Sequence, residues 1–183
     1  MSTDPLRVAA FLTYLFAWLV LAVAALIYAI PSRGAARNPS ISLPALIGTV
    51  IQLCALLPVV LTLNDGPLRP VPVEQAATIL FAPLAVFFFL WAQRSASKHT
   101  GTLVTTGAYR RLRHPIYLAF GCMLLASGLI VSAGLWLLLA VLIYMIGTEI
   151  RIHDEEAELT RRFAEEHAAY VRRTRWRYLP GLR

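Results

Sequence analysis

The chain has 183 residues, 58% of them hydrophobic, with a mean hydropathy of +0.63. Soluble domains are usually about 45 to 50% apolar, so a soluble fold is excluded for most of the chain and lipid must be its main solvent. A formal charge of +7 raises nucleic acid as a partner, and the placement of the charges decides against it.

In chain order, Val8 to Ile30, Ile41 to Leu63 and Val73 to Trp91 are apolar runs, each long enough to cross a hydrocarbon core, which takes roughly 20 residues at 1.5 Å rise. The first run is about twice the length of the apolar part of a secretory signal and has no convincing small-residue cleavage site, so it is expected to remain as a helix. The fourth apolar block, Ile116 to Ile150, is too long for one crossing and has Ser132-Ala133-Gly134 near its middle. It reads as a hairpin of two short helices over 115–150. The expected fold is an all-α integral membrane protein with five crossings, the last two forming the hairpin. Cys54 and Cys122 fall inside crossings, where they read as small hydrophobes and not as a disulfide or metal pair.

With five crossings, Arg7 and Arg69 lie on one side and the other 15 of the 17 Lys and Arg residues lie on the opposite side. The positive-inside rule then places the N-terminus outside and the C-terminus in the cytosol. The basic surplus is mostly topological. Its natural partner is the anionic bilayer surface, nucleic acid is not expected, and no protein partner can be inferred.

Composition changes at Gln93, which divides three N-terminal crossings (1–92) from a region (93–183) where His, Tyr, Arg and Glu gather. This second region holds a cytosolic loop, the hairpin 115–150 and a C-terminal helix at 151–172, read as amphipathic and lying along the interface. At 100° per residue, Ile152, Leu159, Phe163 and Tyr170 form one narrow apolar stripe, and Glu156 and His167 fall within it. Glu158 with Arg162 and Arg161 with Glu165 are spaced as surface pairs. His153 and Asp154 read as solvated, and no convincing metal-ligand spacing is present.

Arg113-His114-Pro115-Ile116-Tyr117 has an ordinary reading: proline suits the first position of a helix, and His and Tyr suit the interface. Glu155 and Glu156 suit a helix's first turn. Glu156 fits that reading less well, because it faces the buried stripe, where a carboxylate needs a cationic partner. That partner could be Arg151, His114 or a positively charged ligand.

From Thr102 to Leu182 the chain resembles the isoprenylcysteine carboxyl methyltransferase family. The resemblance rests on Leu103-Val104-Thr105-Thr106-Gly107-Ala108-Tyr109, on Arg113-His114-Pro115-Ile116-Tyr117, on a hydrophobic hairpin leading to Arg151 and Glu155-Glu156, and on Phe163, Tyr170 and Leu179-Pro180-Gly181-Leu182. It implies a polytopic membrane enzyme that uses S-adenosylmethionine. By position, Tyr109, His114, Pro115, Ile116, Tyr117 and Glu155 would bind the cofactor. Glu156 would support that pocket and Arg151 would face the substrate, and these two are the candidate catalytic residues. Gln93 is a weaker match to a cofactor-contacting glutamine. Ala164 and His167 depart from the pattern, standing where the family often has Gly and Tyr.

The expected activity is therefore methyl transfer to a lipid-like or prenylated carboxylate. A carboxylate acceptor needs only a cation such as Arg151 to orient it, whereas an amine must first lose a proton, to Glu156 or His114. Phospholipid N-methyltransferases share the Arg-His-Pro-x-Tyr and Glu-Glu pattern and are the first alternative. NADPH-dependent sterol reductases, with a similar C-terminal pattern, and a non-enzymatic membrane scaffold are further ones. No Gly-x-Gly-x-x-Gly stretch is present, so a Rossmann-type dehydrogenase or a soluble-type methyltransferase domain is not indicated.

Overall fold

The computed structural model describes residues 4–32, 42–62, 71–97, 101–179 and 181. Of the residues named from the sequence, Ile41, Leu63, Arg69, Pro180 and Leu182 lie outside the described residues, as do Arg33, Arg37, Lys98 and Arg183 of the 15 basic residues assigned to the opposite side.

Most helices begin where the sequence supplies an acceptor or a proline for the free N–H groups of a first turn. Asp4 Oδ1 accepts from Leu6 N (3.1 Å) at the start of α1, Pro5–Ser32. Ser42 Oγ accepts from Ala45 N (3.1 Å) at the start of α2, Leu43–Cys54, which has Pro44 in its first turn. A break at Ala55 leads into α3, Leu56–Leu61. Pro72 opens α4, Pro72–Ala96, and the Glu74 carboxylate accepts from Val71 N (2.8 Å). Pro115 opens α5, Pro115–Ile130. A tight turn with Ser132 and Gly134 at positive φ (54° and 52°) then reverses the chain into α6, Leu135–Arg173. The Glu74 carboxylate also accepts from Ser132 Oγ (2.6 Å), which ties this turn to the start of α4.

The helices pack as α1 on α4, α4 on α5 and α2 on α6, with α5 beside α6. Their interfaces are made of small side chains. Ala17, Ala24, Ala82, Ala85, Ala119 and Ala126 are buried in the largest cluster, with Phe89 and Met123 filling the gaps. Large apolar residues such as Phe11, Phe16, Leu19, Leu138, Leu142 and Ile146 are exposed instead. Small residues inside and large ones outside suit a bundle whose surroundings are as apolar as its own side chains, so that close backbone packing and shared hydrogen bonds hold it together. Tyr14 Oη to Ser127 Oγ (3.2 Å), joining α1 to α5, is one such bond. Cys54 is exposed and Cys122 buried, both as free thiols.

Among the described residues, four spans are long and apolar enough to cross a membrane: α1, α2 with α3, α4 and α6. The helix α5, at 16 residues, is shorter. The chain is thus an all-helical, multi-pass membrane protein.

The hairpin turn falls at residues 131–134, near the expected Ser132-Ala133-Gly134. Beyond the turn the structure departs from expectation, because the return helix and the C-terminal helix are one element. The helix α6 continues through Ile150 without a break, since no proline or glycine stands between Gly147 and Arg173 to end it. Its single interruption is at Ala164 (φ 26°, ψ −100°), the position where the family often has glycine. The bend there lets Thr160 Oγ1 meet His167 Nδ1 (3.0 Å), seven residues along the chain. Of the expected surface pairs, Glu158 with Arg162 is present, whereas Arg161 turns back to Glu158 and not forward to Glu165. Asp154 is not simply solvated, for it accepts a hydrogen bond from Ser42 Oγ at the start of α2.

Candidate active site

Three segments meet at one end of the bundle: a 3-10 turn at Gly107–Arg110 leading into α5, the middle of α6, and the C-terminal segment of residues 174–179. The turn sits against α4. A Cβ on Gly107 would lie 2.1 Å from Ser95 Oγ, and the same hydroxyl accepts from Ala108 N (3.1 Å), so glycine permits both the positive φ of 60° and the close approach. The C-terminal segment returns alongside Arg113 and His114, whose N–H groups donate to Trp176 O (3.0 Å) and Arg177 O (2.9 Å). Beyond the Ala164 bend, Tyr170 Oη donates to Tyr109 O (2.7 Å) and Thr174 Oγ1 to Arg110 O (3.3 Å).

At the centre, the buried ring of His114 lies between two carboxylates. Its Nδ1 is 3.4 Å from Glu155 Oε2 and its Nε2 is 3.3 Å from Glu156 Oε1. Two ionised carboxylates beside the two ring nitrogens favour the doubly protonated, imidazolium form of the ring. Burial pulls the His114 pKa down, but the hydrogen bonds and charges of Glu155 and Glu156 outweigh it, and the net shift is upward. Burial likewise pushes Glu155 up, while hydrogen bonds from His114 and Tyr117 and the charges of His114 and Arg151 bring it below the ordinary carboxylate value.

Glu156 is the more heavily compensated carboxylate. Arg177 Nη2 donates to it (3.1 Å), and Arg177 Nη1 reaches Glu149 (2.7 Å). Arg113 Nε is 3.2 Å away, close enough for an ion pair but not aligned for a hydrogen bond. Burial opposes these partners and loses: His114, Arg113 and Arg177 hold Glu156 down at about 2.

A cavity of ≈ 140 Å³ opens beside this network, lined by Tyr109, His114, Ile116, Tyr117, Phe120, Arg151 and Glu155. Six of the eight candidate residues therefore share one cavity, brought together because the hairpin returns α6 to the level of the turn before α5. Tyr117 Oη donates to Glu155, and Arg151 spans Glu155 (Nη2, 3.3 Å) and the Tyr117 ring (5.3 Å). Pro115 and Glu156 do not line the cavity. Pro115 is fully buried at the start of α5, and Glu156 stands behind His114 among the arginines. Gln93 is not among the lining residues either. Burial, followed by the charge of Glu155, pushes the Tyr109 hydroxyl up to about 12, so it stays a neutral donor at any ordinary pH.

A second, more apolar cavity of ≈ 300 Å³ adjoins the first and shares Arg151 and Phe120 with it. Trp18, Gln52, Leu53 and Leu56 from the N-terminal helices close it against Met123, Leu124 and Tyr144. Sequence reasoning missed these N-terminal contributors, and also Phe120 and Arg177. Gln52 carried a usable signal, since an amide inside an apolar crossing is costly unless it has a partner. Arg177 carried none, because it sits in a tail already rich in arginine for topological reasons.

The site thus joins a buried cluster of carboxylates, cations and aromatic rings to a bordering apolar cavity within a helical membrane bundle. Residues 75–161, which contain α4 from its first turn, the cavity loop, the hairpin and the Glu155-Glu156 pair, match the model of the isoprenylcysteine carboxyl methyltransferase family. This match supports a membrane methyltransferase of the isoprenylcysteine type. A comparison with curated proteins gives no match.

Proposed function

We propose that the chain is an S-adenosylmethionine-dependent methyltransferase whose acceptor is an ionised carboxylate on a lipid-like molecule. The observation that carries this reading is the position of Arg151, which lines both cavities, the polar one and the apolar one.

The donor set of the smaller cavity suits the cofactor. A sulfonium is attracted to aromatic faces and carboxylates, and Tyr109, Tyr117 and Glu155 supply these. His114 orients Glu155, and Glu156 steadies His114. Pro115 and Ile116 set the backbone at the entrance to α5. When bound, S-adenosylmethionine supplies an electrophilic methyl group and departs as a neutral thioether. The chain's own task is to align the acceptor oxygen, neutralise it with Arg151 and exclude water with Phe120 and the apolar wall.

The site's titration behaviour favours the carboxylate over an amine. An amine would have to lose a proton to a neighbouring base, but Glu156 is held at about 2 and the shift on His114 is upward. Held there, Glu156 is not poised to accept a proton near neutral pH.

We read α5 as a fifth crossing. Its 16 residues span about 24 Å at 1.5 Å rise, a little less than a core of about 30 Å. The polar groups at its two ends are satisfied within the protein, by the C-terminal segment at one end and by Glu74 at the other, as a short crossing requires. The N-terminus is then outside and the C-terminal segment cytosolic.

The deciding measurement is calorimetric binding of S-adenosylhomocysteine to the detergent-purified protein. Glu155→Gln removes a charged acceptor and should weaken binding about tenfold or more. Stabilisation by NADPH and none by S-adenosylhomocysteine would establish a reductase instead.

A further inference from the structure

The crossing α2 is apolar apart from Thr49 and Gln52, and it touches α6 backbone to backbone. A Cβ on Gly48 would lie 2.8 Å from Gly147 O, and one on Gly147 would lie 2.7 Å from Gly48 O, so neither position has room for a side chain. This close approach brings Gln52, one turn further along α2, against the polar side of α6. Its Nε2 donates to Thr148 Oγ1 (2.8 Å) and its Oε1 accepts from Arg151 Nη1 (3.4 Å).

Arg151 is thus held from two directions by partners of different charge. On the side of the smaller cavity Nη2 meets the Glu155 carboxylate. On the side of the apolar cavity its partner is a neutral amide. The guanidinium Nε is buried and has no hydrogen-bond partner among the described residues. A carboxylamide can fix the position of a guanidinium without cancelling its charge, and it retains a second N–H for a ligand. The apolar cavity's lining contains no carboxylate.

Resting on the proposed methyltransferase activity, we infer that Gln52 is a specificity-determining residue, which reserves the Arg151 charge for an anionic acceptor head group whose chain lies in the apolar cavity. It belongs to α2, outside the matched residues 75–161. Acceptor choice is therefore built by the N-terminal helices, while the other cavity is built entirely by the C-terminal region. A glutamate in its place would pair fully with Arg151 and turn the cavity's preference towards cations.

The test uses the full chain in detergent, with tritiated dodecanoate as the probe and dodecylamine and dodecanol as competitors. The parent protein should prefer dodecanoate to both by about tenfold at neutral pH, the effect expected of one charge-assisted contact. Gln52→Glu should abolish that preference by weakening dodecanoate about tenfold and strengthening dodecylamine. Leu124→Trp, which fills the apolar cavity, should weaken all three ligands alike. S-adenosylhomocysteine should bind each variant as it binds the parent. If it binds none, the methyltransferase reading fails. If it binds all and Gln52→Glu leaves dodecanoate within twofold, the role of Gln52 is overturned. Should Gln52→Glu fail to fold, the parent decides the matter, since equal or tighter binding of dodecylamine excludes the inference.

Discussion

His114 occupies a position that few histidines can hold, buried between two carboxylates with a nitrogen turned to each. Its charge has opposite consequences on the two sides of neutrality. Because its folded pKa is raised above 6.5, the stability it contributes is fully present below that value and is lost as pH climbs through the folded pKa. Glu156, lowered from 4.5 to about 2, behaves in reverse: its contribution is present above 4.5 and disappears as pH falls towards 2. Thermal stability is therefore expected to be greatest between about 4.5 and 6.5, with separate losses on either side. A His114→Asn variant should be less stable at pH 6 and lack the alkaline loss, as a melting series across pH would reveal. An unchanged alkaline limb in the variant would assign that loss to another group. The sequence offered His114 as one of three candidate partners for Glu156, beside Arg151 and a cationic ligand, and the structure sets His114 against both glutamates. The family resemblance, and not the spacing, separated the roles of Glu155 and Glu156, because the two are adjacent and only the rotation of α6 against α5 sets which of them faces the cavity.

Among the elements, α6 carries the most structural information and the clearest mismatch. Its conformation at Ala164 lies in the left-handed region of φ, where an L side chain is strained. Yet the bend is needed, since it turns Tyr170 and Thr174 back onto the Gly107–Arg110 turn. Ala164→Gly removes the clash of the Cβ while keeping the bend. The relief should outweigh glycine's entropic cost and stabilise by about 1 kcal/mol, which for a chain of this size is roughly 2 to 4 °C in Tm. A lower Tm for the variant would mean that the bend is not strained. The existence of both hairpin helices was legible from the length of the apolar block and the small residues at its centre. The fusion of the return helix with the tail was not, because the apolar-to-polar change at Arg151 resembles a boundary, although nothing at that point breaks a helix.

At the scale of the whole molecule, the apolar runs made the membrane bundle legible. Which helices touch was not, because contacts such as Gly48 with Gly147 join residues far apart in sequence. The expected topology can be read with a membrane-impermeant maleimide. In intact cells Asp4→Cys should label from outside, whereas Glu166→Cys, exposed on the far part of α6, should label only after lysis. Protected Asp4→Cys and accessible Glu166→Cys would invert the orientation.

The uninterrupted course of α6 from the hairpin turn to the acidic pair has a mechanical consequence. Membranes differ in thickness, and a spanning helix answers mainly by tilting. Along this rod Tyr144 and Arg151 line the apolar cavity, Thr148 holds Gln52 beside it, and Glu155 lines the polar cavity, so a tilt carries all four together. The spacing between the two cavities is thereby insulated from the lipid composition around the protein, and only their depth below the head groups follows the bilayer.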